Sequence, residues 1–255
     1  MIVKTEAIVL RSMKYGETSR ILTLYTREFG RMSVIVKGAR GRKPKFGAAL
    51  DLMSRSDTVM YKKEQRELQL MTQADLVQQY RRVIDSPDRL MYGFAVLEFL
   101  YATVHGEEAH EELYDILRGA LEALDAERAR PANVLLHYLL RLSGAMGIGI
   151  DTQHCARCRT AFEEESALQD SASFSLTGGG FTCAGCPPAP DSMETAVETV
   201  RALAWLDRHA AADVHTLALS PRAAGESLQV LERHLKSHIP DMRAVKSVPM
   251  LDIFR

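Results

Sequence analysis

Two brackets of the form Cys-x-x-Cys, Cys155-Ala-Arg-Cys158 and Cys183-Ala-Gly-Cys186, hold all four cysteines of the chain, with 24 residues between them. Each bracket offers two thiolates to one side of a tetrahedral ion, and two brackets complete the coordination of a single Zn²⁺. A shell of Cys155, Cys158, Cys183 and Cys186 leaves no open position, so one structural zinc ion is expected. Two pairs of free thiols are the plainer alternative, and a zinc enzyme would need a water-bound site. Disulfides fit poorly, because the chain carries no mark of secretion. His154 directly precedes the first bracket, but four thiolates already fill the tetrahedron. The gap is longer than the commonest version, so a hairpin or loop must fit between the brackets.

A second constellation is electrostatic. The segment Lys37-Gly38-Ala39-Arg40-Gly41-Arg42-Lys43-Pro44-Lys45 holds five cations, no acids, two glycines and a proline. It reads as a mobile basic loop, and charge of this density binds phosphate backbones through counterion release. Lys14, Arg20, Arg27 and Arg31 add charge from neighbouring strands and turns, with Tyr15, Tyr25, Phe29 and Phe46 interleaved. Single-strand binders stack bases on such rings, although Tyr25 and Phe29 read more simply as core. Residues 1–82 carry 17 Lys+Arg against 8 Asp+Glu, a balance of +9, while the remainder carries 15 against 25. The formal net charge of −1 hides this division. The first part should attract polyanions and the second should not.

Catalytic patterns are missing. No G-x-x-x-x-G-K-[ST] loop occurs, and Gly178-Gly179-Gly180 has no lysine after it. His105 and His110 lack the H-E-x-x-H spacing, and the zinc-deaminase signature fails because Thr182 stands where proline should precede Cys183. Glu163-Glu164-Glu165 reads as a solvated turn. An enzyme is not expected.

The elements that must position these residues divide in two. The first 75 residues or so read as five short strands by their period of two. These are a strand opening at Ile8-Val9-Leu10, then Arg20–Thr26, Arg31–Lys37, Asp57–Lys62 and Leu68–Ala74. Five short strands suit a small closed barrel of the OB type, with an SH3-like barrel as the near alternative. From Ser86 the period becomes helical: Asp85-Ser86-Pro87 supplies a cap and a first-turn proline. Helical stripes follow at Leu90–Tyr101, Leu113–Leu124 and Val134–Met146, ended by Gly147 and Gly149. Between the cysteine brackets, Ser173–Leu176, the glycine run and Phe181 read as strand, turn and return. Met193, Val197, Val200 and Ala204 restart the helical period, and Pro221–Ser237 gives a last helix. The expected fold is α+β: a five-stranded OB barrel over residues 1–80, then a helical domain over 81–255 with a Cys₄ zinc module at about 150–188. At 46% hydrophobic the chain suits a protein with a real core, and no run approaches the roughly 18 apolar residues of a membrane span. A charge at Lys4 interrupts any export signal, so a reducing compartment, most simply cytoplasm, is expected.

With these residues in view, the chain resembles the bacterial RecO family of recombination mediators over nearly its whole length. The resemblance rests on Thr5-Glu6-Ala7-Ile8-Val9-Leu10, Tyr15-Gly16-Glu17-Thr18-Ser19-Arg20-Ile21-Leu22, and Thr26-Arg27-Glu28-Phe29-Gly30 with Lys37-Gly38-Ala39-Arg40. Leu139-Leu140-Arg141-Leu142 and Lys246-Ser247 add to it, while Arg243–Pro249 keeps only part of the family pattern. The resemblance implies an OB barrel, a helical domain with a zinc module, and a non-enzymatic role in recombinational DNA repair at the nucleoid. It implies binding of single- and double-stranded DNA and annealing of complementary strands. It also implies partners: RecR, the acidic C-terminal tail of single-strand binding protein, and indirectly RecA. The rival readings are a protein-docking adaptor and an RNA-binding barrel.

Overall fold

Alternation of buried and exposed side chains writes the barrel. In β2 (Ser19–Thr26) and β3 (Gly30–Val36), Leu22, Leu24, Met32, Val34 and Val36 fill the interior while their neighbours face outward. The opening strand β1 is longer than the sequence pattern indicates, Ile2–Tyr15, and serves two partners. Its first half pairs with β4 (Arg55–Tyr61) and its second half with β2, with a register shift between Val9 and Arg11. A bulge there bends the strand and lets it close the cylinder. With β5 (Leu68–Gln78) the order is β1-β2-β3-β5-β4, closed, with β3 and β5 parallel. That Greek-key closure is OB-like and removes the SH3-like alternative. The computed structural model describes residues 1–40, 46–162 and 171–251, so Arg42, Lys43, Lys45 and the Glu163–Glu165 run lie outside the described residues.

A short α1 (Arg81–Ile84) precedes α2 (Pro87–Thr103), α3 (Glu111–Asp125) and α4 (Pro131–Ala145). Ser86 caps α2 by accepting the Arg89 N–H, with Pro87 in the first turn. The cysteine module contributes β6 (Ser171–Ser175), β7 (Gly180–Thr182) and β8 (Ser192–Ala196), in sheet order β7-β6-β8. Met193 therefore belongs to a strand, not to the start of the next helix; α5 runs Val197–Arg208 and α6 Pro221–His238. A five-residue strand carrying one apolar residue at each helical spacing is easily absorbed into the following helix's period. No helix among the described residues is long and apolar enough to cross a membrane.

Barrel and helices share a core. On the outer face of the barrel, Ile8, Leu10 and Tyr25 are buried against Tyr80, Tyr92, Leu117 and Leu121. Tyr25 is thus core, as expected, yet it lies outside the barrel rather than within it. Glycines stand at the contact, Gly30 against backbone and Gly93 against a side chain. A Cβ on Gly30 would sit 2.1 Å from the Glu108 carbonyl oxygen, and one on Gly93 would sit 2.8 Å from Met53 Cε. At the same junction Tyr114 donates to Glu6 Oε1 at 2.7 Å, and Arg55 pairs with that oxygen at 3.4 Å.

Two stability predictions follow from this packing. Tyr114→Phe leaves the Glu6 carboxylate short of a donor and should cost about 1–3 kcal/mol by denaturant titration. An unchanged midpoint would show that Glu6 is satisfied without it. His137 on α4 is 8% exposed, with Nε2 3.1 Å from the His209 carbonyl. Burial, helped by the Arg141 charge, depresses this imidazole from 6.5 to about 4. Its folded value lies below its unfolded one, so stability is present above pH 6.5 and lost as the pH falls toward 4. That loss is on the order of 3 kcal/mol in all. His137→Gln should flatten that part of the pH–stability curve; parallel curves for the two proteins would refute the assignment.

Candidate metal centre and nucleic-acid interface

The four cysteine sulfurs converge, all within 4.8 Å of one another, with Cys158 and Cys183 at 3.6 Å. A tetrahedron with Zn–S bonds of 2.3 Å has edges of about 3.8 Å, so the donor set fits one such ion. Backbone geometry builds the first knuckle. The Arg159 N–H donates to the Cys155 carbonyl at 3.0 Å and the Cys155 N–H to the Thr160 carbonyl at 2.8 Å. Arg159 sits in the left-handed region at φ 63°, where the chain reverses, and its guanidinium reaches Asp151 at 2.7 Å. The other oxygen of Asp151 accepts the N–H groups of Gln153 and His154, each at 3.0 Å. His154 is thereby turned toward Asp151, its Nδ1 3.4 Å from that carboxylate, and stands outside the sulfur cluster.

Charge on the sulfurs is prearranged. The N–H groups of Arg157 and Cys183 point at Cys155 Sγ, at 3.4 and 3.3 Å. Burial alone would raise the Cys155 thiol, but the backbone N–H groups of Cys158, Cys183 and Arg157 hold it below its ordinary value. Hydrogen bonds from Thr160 draw Cys158 down to about 6, whereas Cys186, bonded to Cys158, is pushed up to about 12. Four thiols this close cannot all ionise together unless a cation sits among them. The second knuckle is tied to the first by the Ala156 N–H, which donates to the Phe181 carbonyl on β7 at 2.7 Å. Beneath β6 and β7, Phe174 and Phe181 meet edge-on at 4.9 Å, and Phe174 meets His234 of α6 edge-on at 5.8 Å. His234 Nε2 lies 2.6 Å from the Ile148 carbonyl, so α6 and the end of α4 both hold the module.

The cations of the barrel separate into two groups among the described residues. Register places Lys14 opposite Arg20 and Arg20 opposite Val36, the residue before Lys37. Arg40 folds back on the β1–β2 turn, its N–H donating to the Thr18 carbonyl at 2.8 Å. Lys14, Arg20, Lys37 and Arg40 therefore gather at one rim of the barrel. Within it, only Arg20 has a carboxylate partner among the described residues, Asp51 at 3.3 Å. The other two stand at the opposite end. Arg27 is matched by Asp115 at 3.2 Å and Glu111 at 3.8 Å on α3, and lies over the Tyr114 ring. Its charge is spent internally, which no local pattern announces, because the acids are more than 80 residues away. Arg31 donates to the Tyr101 carbonyl at 3.1 Å. Asp151 and Thr160, which hold the cysteines in place, carry no sequence signal: an isolated Asp or Thr beside a bracket has no spacing signature.

Comparison with known proteins agrees with this geometry. Residues 1–80 match the family model described as recombination protein O N terminal, and residues 85–247 the one described as recombination protein O C terminal. The chain is 30% identical to a DNA repair protein RecO of Chloroherpeton thalassium, over 97% of this chain and 96% of that one. It is 35% identical to the protein of that name from Rhodopirellula baltica, over 74% and 69%, and 31% identical to that of Salinibacter ruber, over 94% and 89%. An OB-like barrel joined to a helical body with a four-cysteine cluster, matched by both models, makes this chain a member of the RecO family.

Proposed function

We propose that this protein is a non-enzymatic DNA-binding mediator of recombinational repair, working in the cytoplasm at the nucleoid, that anneals complementary single strands. The observation that carries the reading is the barrel rim, where Lys14, Lys37 and Arg40 meet with no carboxylate partner among the described residues. Arg42, Lys43 and Lys45 extend the same run of sequence. Two DNA strands repel one another as polyanions, and cations held at one edge of a rigid barrel screen that repulsion. Contacts to phosphate leave base edges free to pair, so such a surface favours annealing without reading sequence. Family membership supports the finer parts of the proposal. These are association with RecR, capture of the acidic tail of single-strand binding protein, and help in loading RecA onto strands that protein covers.

Cys155, Cys158, Cys183 and Cys186 would hold one structural Zn²⁺, which supplies a fixed cross-link and no chemistry. Holding the module in shape keeps β6–β8 seated on α6. The domains follow the same division, with the barrel at 1–80 as the nucleic-acid module and 81–255 as its helical support.

Charge reversal at the rim tests the DNA reading. Lys37→Glu with Arg40→Glu should weaken binding of an oligo-dT strand and make the slope of log K against log salt shallower by about 1.4, at about 0.7 per lost contact. Equal affinity and slope in wild type and variant would sink the proposal. For the metal, elemental analysis should find one zinc per chain. Cys155→Ser should lower Tm by more than it lowers the oligo-dT affinity of the protein that remains folded. A metal-free wild type, or a variant of unaltered Tm, would argue for four ordinary thiols instead.

A further inference from the structure

Three guanidinium groups from distant parts of the chain converge on one ring. Arg11 of β1, Arg31 of β3 and Arg243 of the C-terminal segment lie 4.8, 5.0 and 5.1 Å from the centre of Tyr101, at the end of α2. Arg243 also donates to the Tyr101 hydroxyl at 2.6 Å. None of the three takes part in any ion pair formed among the described residues. The nearby carboxylate of Glu98 is engaged otherwise, one oxygen accepting the N–H and hydroxyl of Ser247 at 2.8 and 2.7 Å. Burial, and then the Arg243 charge, push Arg31 below its ordinary value. Like charges gathered around a neutral ring repel, and an anion between them relieves the repulsion.

The cluster borders a cavity of about 570 Å³ between barrel and helices, walled by Leu10, Met91, Phe94 and Leu97, with Lys246 at its edge. A second cavity, of about 450 Å³, shares Ser12, Leu52 and Phe94 with it and opens beside Lys14 and Arg20. The two adjoin along the junction, and the second carries Lys14 beside the Arg20–Asp51 pair. Ser12, which lines both cavities, and Lys14 share one face of β1, roughly 7 Å apart at 3.3 Å per residue. One small anion reaches one end only; a chain of anions reaches both.

We propose that this cleft carries a single strand of nucleic acid from the barrel rim onto the helical body, with Arg11, Arg31 and Arg243 clasping a backbone phosphate at its far end. The proposal rests on the nucleic-acid reading above. Guanidinium forks suit phosphate oxygens, and the apolar walls offer a surface to sugar and base. Continuity with the Lys14–Arg20 rim favours a nucleic acid over the other fitting ligand, an acidic peptide with an apolar end.

The test measures binding of full-length protein to a labelled oligo-dT strand across a salt series. Arg11→Glu with Arg243→Glu should weaken binding by about tenfold or more at low salt and flatten the slope by about 0.7, the loss of one phosphate contact. Both side chains are exposed, so the variant should fold; equal Tm verifies it, and Arg243→Lys alone should keep the slope while losing affinity. Wild-type affinity and slope in the junction variant, with both reduced in the Lys37→Glu/Arg40→Glu rim variant, would overturn the cleft and leave the rim reading intact. Insensitivity of both variants would overturn both. Loss of binding to a Glu-rich peptide ending in Phe, with oligo-dT binding kept, would make the cleft a peptide site and overturn the proposal.

Discussion

Everything in this molecule depends on burial of the outer face of β1 and β2 against the helices. An OB-like barrel closes its hydrogen-bond ladder on itself and has no need of a partner for its edges. Here Ile8, Leu10 and Tyr25 turn outward into a continuous core with α1, α2, α3 and α4. Each such side chain, fully buried, contributes about 1.5–3 kcal/mol. The bulge after Val9 is what allows one strand to serve both the barrel and this outer core. Gly30 matters for the same reason, since a methyl group there would run into the Glu108 backbone.

That weld sorts the charges. On the side facing α3, Arg27 finds Asp115 and Glu111, and Arg55 finds Glu6, so cations there serve cohesion. On the far rim Lys14, Lys37 and Arg40 form no ion pair among the described residues. A basic amino-terminal third thus resolves into cations that bind the protein to itself and cations free to meet a polyanion. Net charge alone does not separate them.

The cysteine module follows a parallel logic at the other end of the helical body. Its small sheet has little core of its own beyond Phe174 and Phe181, and it leans on His234 of α6. A cross-link would add to what three short strands seated on a helix provide. Four converged sulfurs, with backbone donors already aimed at Cys155, provide a place for one.

The sequence by itself determined the barrel, the start of α2 after Ser86 and the pairing of the two cysteine brackets. These are local: period-two alternation, a capping serine before proline, and Cys-x-x-Cys spacing each arise within a few residues. Family likeness was equally legible, because its motifs are short and contiguous. Beyond local reach the sequence is silent. That Tyr25 packs outside the barrel, that Arg27 is neutralised by α3, that Met193 joins β6 in a sheet, and that Arg11, Arg31 and Arg243 share Tyr101 all depend on contacts between distant segments. Only tertiary packing sets those distances, and Coulomb and van der Waals forces act through distance in space rather than position in the chain.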